Sequence, residues 1–168
     1  MIEIRPLQPH EIEDAKWVIA SVAQRIYYPE QTPQYFYNVL AEEGELRDVD
    51  DYQQIYIGNR GLFLAVLDGE TLVGTGAIKH LEADIAELKR LWLLEEYHGR
   101  RLGYEVVQRL LAFARAQGWS RIRLQTGSEQ LRALAFYKKL GFSEIPSYRE
   151  SMDNISMELV LQSGRGES

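Results

Sequence analysis

Cysteine is absent from this 168-residue sequence, which excludes disulfides, thiolate nucleophiles and cysteine-bound zinc. Its absence fits a reducing compartment. The three histidines, His10, His80 and His98, stand apart without the pairwise spacing of metal ligands, so no metal is expected. No stretch approaches the roughly 20 apolar residues of a membrane span. The opening MIEIRPLQP lacks the basic start and apolar run of a secretory leader. A cytoplasmic chain without membrane contact is therefore expected. Positive charge is also in short supply: 19 Lys and Arg against 25 Asp and Glu give a net charge of -6. Nucleic-acid binders normally present a basic face, so that class is disfavoured. Neither G-x-G-x-x-G nor a G-K-[ST] phosphate loop occurs, which argues against dinucleotides and nucleoside triphosphates as ligands.

What is present is 45% apolar residues, enough for a sizeable core. One domain over residues 1–162 is expected, followed by a disordered tail over 163–168. Lys89, Arg90, Arg100, Arg101 and Arg109 concentrate positive charge in an otherwise acidic chain. That patch suits one anionic ligand or a solvated, salt-bridged face.

Periodicity organises the chain. Ile2 to Arg5 alternates like a strand, and Ile12, Ala15, Ile19, Val22, Ala23 and Ile26 recur at helical spacing. Gln34 to Glu43 predicts a second helix, and Gly44 to Arg60 reads as irregular. Leu62–Leu67 and Thr71–Leu81 flank Asp68-Gly69-Glu70, a hairpin signal. Ile85–Leu94 predicts a third strand. A regular pleat would put Glu87, Lys89, Leu91 and Leu93 on one side and Ala86, Leu88, Arg90, Trp92 and Leu94 on the other. An apolar stripe from Leu102 to Ala114 predicts a long helix ended by Gly118. A strand over Ser120–Gln125 follows, then a helix capped by Thr126 or Ser128 and ended by Gly141, and a last strand over Ile155–Leu161.

Two segments, AELKRLWLLEEYHGRRLGYEVVQRLLAFA (Ala86 to Ala114) and LRALAFYKKLGF (Leu131 to Phe142), carry the strongest signal. In their order of strand, loop, long helix, strand and Tyr-bearing helix, the chain resembles the GNAT N-acetyltransferase superfamily. The resemblance implies an α/β fold with a mixed, mostly antiparallel sheet of about seven strands and about four helices. It implies acetyl-CoA as co-substrate. Its pantetheine arm would lie against a bulged strand at Leu91, Trp92 and Leu93, with the pyrophosphate at His98, Gly99, Arg100, Arg101, Leu102 and Gly103. A helix N-terminus offers unpaired N–H groups to such an anion. The sequence departs from the family at His98, where Arg or Gln is usual, and at Arg101, where glycine is usual. Gln130 replaces an asparagine that contacts the cofactor.

Acetyl transfer to an alkyl amine needs a base, because at pH 7 only about one such amine in a thousand is neutral. By resemblance Glu87 is the candidate base, acting directly or through water, and Tyr137 the candidate acid for the departing thiolate, besides a cofactor contact. On spacing alone, Glu87 would be a strand glutamate paired to Lys89 or Arg90, and Tyr137 a core aromatic. The fold would place Tyr27, Tyr28, Tyr35, Phe36, Tyr37, Tyr52, Tyr56, Asp48, Asp50 and Asp51 near a cationic acceptor, while taken singly each ring fits helix packing and each acid a solvated surface better. That acceptor is a small-molecule amine or a protein or peptide amine, and a homodimer stays open. The other class the sequence allows is a non-catalytic acyl-CoA sensor.

Overall fold

The computed structural model describes residues 1–162; the tail expected over 163–168 lies outside them. Seven strands lie side by side: β1 (Ile2–Pro6), β2 (Leu62–Asp68), β3 (Thr71–Glu82), β4 (Ile85–Leu93), β5 (Arg121–Thr126), β7 (Ile155–Val160) and β6 (Ser143–Ile145). All neighbours are antiparallel except β4 and β5. The hairpin predicted at Asp68-Gly69-Glu70 joins β2 to β3.

Helices cover both faces because the strands bury both. On one face α5 (Leu102–Gln117) and α6 (Leu131–Leu140) pack Val106, Leu110 and Tyr137 against Leu64, Val66, Ile78 and Leu88. The other face carries α1 (Ile12–Tyr27), α2 (Pro33–Glu42) and the one-turn helices α3 (Arg47–Asp50) and α4 (Tyr52–Ile55). There Ala15, Ile19, Val49, Tyr52 and Tyr56 meet Phe63, Ala65 and Ala77. Each fully buried Val, Leu, Ile or Phe stabilises the fold by about 1.5–3 kcal/mol. The segment Gly44–Arg60, predicted irregular, therefore holds two helical turns. They are too short to show a period and are fixed by burial of Leu46, Val49, Tyr52 and Tyr56. Likewise α6 begins at Gln130 rather than at a Thr126 or Ser128 cap. Gly76 on β3 lets α5 approach closely: an added Cβ would lie 2.4 Å from Val106 Cγ1.

Two features of β4 shape the centre of the molecule. First, β4 and β5 pair only at Ile85–Arg121, Ala86–Ile122 and Glu87–Arg123, after which the strands separate into a fork. Second, β4 bulges: Trp92 opposes Thr75 and Lys89 opposes Ala77, with Arg90 in the left-handed region at φ 57°. The Thr75 hydroxyl donates to the Arg90 carbonyl at 2.7 Å. The extra residue reverses the pleat. Leu91 and Leu93 therefore pack with Ala86 and Leu88 on the α5 face, and Trp92 on the α1 face, against the alternation expected from a regular strand.

Among the described residues no helix is long and apolar enough to cross a membrane. No group of three or more His, Asp and Glu side chains among them could hold a metal ion.

Candidate active site

The fork opens into a cavity of about 810 Å³ bounded by the end of β4, the N-terminus of α5 and the start of α6. Every cofactor candidate named from the sequence lines it except Arg100. Arg100 instead lies over the Tyr97 ring at 4.8 Å. Leu91, Leu93, Val106 and Phe136 supply apolar wall.

At the mouth, His98 and Gly99 lead into the helix. The His98 ring nitrogen Nε2 lies 3.1 Å from the Leu93 carbonyl, which anchors the loop to the strand. Arg101 is the N-cap of α5 at φ 61° and ψ 19°. The usual glycine at this position is thus explained by the left-handed conformation, which the arginine adopts at a cost of about 1–2 kcal/mol. Its guanidinium rests over the Tyr104 ring at 4.5 Å and forms no ion pair among the described residues. No side chain caps α5, so the amides of Leu102, Gly103 and Tyr104 are free to bind an anion. A free cation beside free amides is the chemistry a pyrophosphate requires.

At the inner end Tyr137 is 7% exposed and packs on Phe142 with ring centroids 5.6 Å apart. Its hydroxyl has no hydrogen-bond partner among the described residues, yet the residue lines the cavity. Burial pushes its phenol well above the ordinary tyrosine value, and the nearby Asp153 charge adds to the shift. The group therefore stays protonated at neutral pH. Gln130, also at this end, donates through Nε2 to the Tyr27 hydroxyl at 2.8 Å.

Beyond the fork, on the α1 face, Glu87 is 1% exposed. The expected partners Lys89 and Arg90 do not bind it. Tyr148 donates to its Oε2 at 2.8 Å and Arg149 to its Oε1 at 2.9 Å, both from the loop between β6 and β7. Burial pushes the carboxyl upward, but the Arg149 hydrogen bond, the Lys89 charge and the Tyr148 hydroxyl outweigh it, leaving the value below the ordinary glutamate. Glu87 is thus an anion at neutral pH. Arg90 is bound by Asp48, which also accepts from Tyr56 at 2.6 Å.

The sequence profile of the Acetyltransferase (GNAT) family matches residues 23–142. The chain belongs to this family. Among GNAT relatives, human N-acetyltransferase 8 is 34% identical over 104 residues, 58% of this chain and 45% of that protein. The IAA acetyltransferase of Azospirillum brasilense is 35% identical over 83 residues, 49% of this chain and 54% of that protein. The chain thus spans about half the length of the curated relatives it matches. The PaiA N-acetyltransferase of Thermoplasma acidophilum, solved in complex with coenzyme A, superposes with a TM-score of 0.80 at 23% identity, covering 96% of this chain and 99% of that one. A GNAT-family acetyltransferase from Staphylococcus aureus Mu50 gives 0.81 at 20% identity, covering 96% and 100%.

Within this GNAT fold several expected acceptor residues serve other ends. Phe36, Tyr52 and Tyr56 are buried in the core, Asp48 is taken by Arg90, and Asp50 binds Lys16 at 2.8 Å. Tyr28 and Tyr35 point to solvent, and Tyr37 donates to Glu13. Sequence reasoning missed Tyr148, Arg149 and Asp153. They lie in a loop with no periodicity, and the only available signal was a Tyr-Arg pair shortly before the last strand.

Proposed function

We propose that the protein transfers an acetyl group from acetyl-CoA to a primary amine by direct attack within a ternary complex. The observation that carries this reading is the single cavity joining free amides and Arg101 at one end to the unpartnered Tyr137 hydroxyl at the other. Those residues fit acetyl-CoA, which supplies a thioester whose acyl carbon an amine can attack and whose sulfur can leave. Arg101 and the first turn of α5 hold the pyrophosphate by charge-assisted hydrogen bonds. The bulged edge of β4 at Leu91 to Leu93 orients the arm. Arg90 in its left-handed conformation turns that edge toward the fork, so its backbone N–H groups can face the developing oxyanion.

Glu87 is the general base. Because its carboxylate is enclosed, the ammonium proton reaches it through the Tyr148 hydroxyl or a water beside it. The amine nitrogen then forms its bond to the acyl carbon as the carbon–sulfur bond breaks. Tyr137, kept protonated by burial, gives its proton to the sulfur.

A second reading draws on the enclosure of Glu87 by Arg149 and Tyr148: the chain binds acyl-CoA without turnover and acts as a sensor. Calorimetric titration with acetyl-CoA followed by thiol release across an amine panel separates the two. Binding with release supports the transferase. Binding with no release for any amine favours the sensor, and no binding rejects both.

A further inference from the structure

The cavity reaches both faces of the sheet. Leu91 and Val106 line it on the α5 face, and Val22, Ile26 and Trp92 line it on the α1 face. Val22 and Ile26 lie four residues apart on α1 and so share one side of that helix. Val22 and Trp92 also pack into the α1-face core, but Ile26, although half-buried, joins neither core among the described residues. This wall is apolar. The charged residues that line the cavity, His98, Arg101, Glu129, Arg132 and Lys139, come from the loops and α6, and none from α1 or a strand. The Thr75 hydroxyl, which also lines it, is spent on the Arg90 carbonyl.

The last turn of α1 is tied to both arms of the fork. The Tyr27 hydroxyl accepts from Gln130 Nε2 at 2.8 Å, in the connection from β5 to α6. Gly127 leaves room for this contact, since a Cβ there would lie 2.7 Å from the Tyr27 hydroxyl. On the other arm Arg25 pairs with Glu95, just past the end of β4. Ile26 stands between these two ties, which makes it a fixed wall of the cavity.

Resting on the transferase reading above, we infer that the α1 wall is an acyl-chain pocket, and that the protein takes acyl-CoA thioesters whose short apolar chain is longer than acetyl. A thioester carbon is planar with three substituents. Its oxygen is assigned to the β4 edge and its sulfur to Tyr137, so the acyl chain points away from both. The side chains of Val22, Ile26 and Trp92 are the part of the wall that the arm, the pyrophosphate and the acid leave unused. The amine reaches Glu87 through Tyr148, and neither of those residues lines this cavity, so the α1 wall is left to the chain. Each methylene placed there leaves water for apolar contact. The bond formed and the bond broken are those of acetyl transfer.

The test is calorimetric titration of the protein with CoA, acetyl-CoA, propionyl-CoA and butyryl-CoA, followed by thiol release across an amine panel. Affinity should rise from acetyl to butyryl by about twofold to fourfold for each methylene. Ile26→Gln, similar in size but polar, should bring the butyryl and acetyl affinities to within about twofold of each other. A flat or falling series in the unaltered protein overturns the inference, as does a rise that survives Ile26→Gln. An Ile26→Gln variant that changes KM for the amine and leaves the series intact also overturns it, by giving the wall to the acceptor. A rising series without thiol release supports the pocket and counts against the transferase reading alone. Failure to bind any of the thioesters removes both. The series is read on the unaltered protein, so a misfolded variant would not shelter the inference, and affinity for free CoA, which carries no acyl group, reports the folding of the variant.

Discussion

Arg149 joins the two arms of the fork: Nη2 lies 2.8 Å from Glu87 Oε2 on β4, and Nη1 donates to Gln125 on β5 at 3.1 Å. Glu87 is enclosed, so losing its cation leaves a buried charge poorly matched. Arg149 is partly exposed, which weakens the pair through solvent screening. Arg149→Gln should therefore cost about 1–2 kcal/mol at pH 7. The sign with pH follows from Glu87: its folded value lies below its unfolded one. Its contribution is complete above the unfolded value and is lost as pH falls through the folded one. The deficit of the variant should shrink on acidification below about pH 4.5. Urea unfolding at pH 7 and pH 4 measures it; a deficit that grows on acidification would contradict the account.

Glu87→Gln removes the proposed base while keeping shape and hydrogen-bonding capacity. Turnover should fall by about a hundredfold at pH 7 and recover in part at higher pH, where more amine is already neutral. A pH profile parallel to that of the unaltered protein would reject the role.

Tyr137→Phe deletes one hydroxyl inside an aromatic cluster. A kcat reduced by about tenfold to a hundredfold with acetyl-CoA affinity nearly constant is expected. Since burial raises the phenol, the unaltered enzyme should show no loss of acid function up to pH 10. An unchanged kcat in the variant would mean the hydroxyl is only a packing group.

Arg101 combines backbone strain with a free cation. Arg101→Gly should raise stability by about 1 kcal/mol through relief of the left-handed conformation. It should also weaken acetyl-CoA binding by about threefold to tenfold, more at low ionic strength. Thermal melts and calorimetry at two salt concentrations read both, and an unchanged affinity would exclude Arg101 from the pyrophosphate site.

Gly76→Ala places a methyl group against Val106. Overpacking of this kind costs about 1–3 kcal/mol. Because α5 would be pushed from the sheet at the level of the cavity, acetyl-CoA affinity should fall with stability. A stable variant with normal affinity would show that α5 can retreat freely.

Much of the cofactor half was legible because it is written in local order. A strand, a loop with Gly99 and Gly103 and an apolar stripe ending at Gly118 specify one another over a short span, and the structure brings nearly all of them to one cavity. The acceptor half was not. Its contacts join Glu87 to Arg149 across 62 positions and Arg90 to Asp48 across 42, and no period or turn signal encodes such pairs. The β4 bulge was anticipated only by resemblance. Nothing in Ile85–Leu94 marks Arg90 as the residue at positive φ, so the facing of Leu91, Trp92 and Leu93 came out reversed.

The three-pair junction of β4 and β5 also interrupts the backbone ladder between β1 to β4 and β5 to β7, which are joined instead by the side-chain core under α5. Past Glu87 the facing edge amides of β4 have no strand to protect them, so they should exchange with solvent far faster than the same strand's amides bonded to β3. Anything lodged in the fork acts as a missing strand between the two sets of strands. It would slow exchange on that one edge selectively and stabilise the whole by an amount that grows with the logarithm of its concentration.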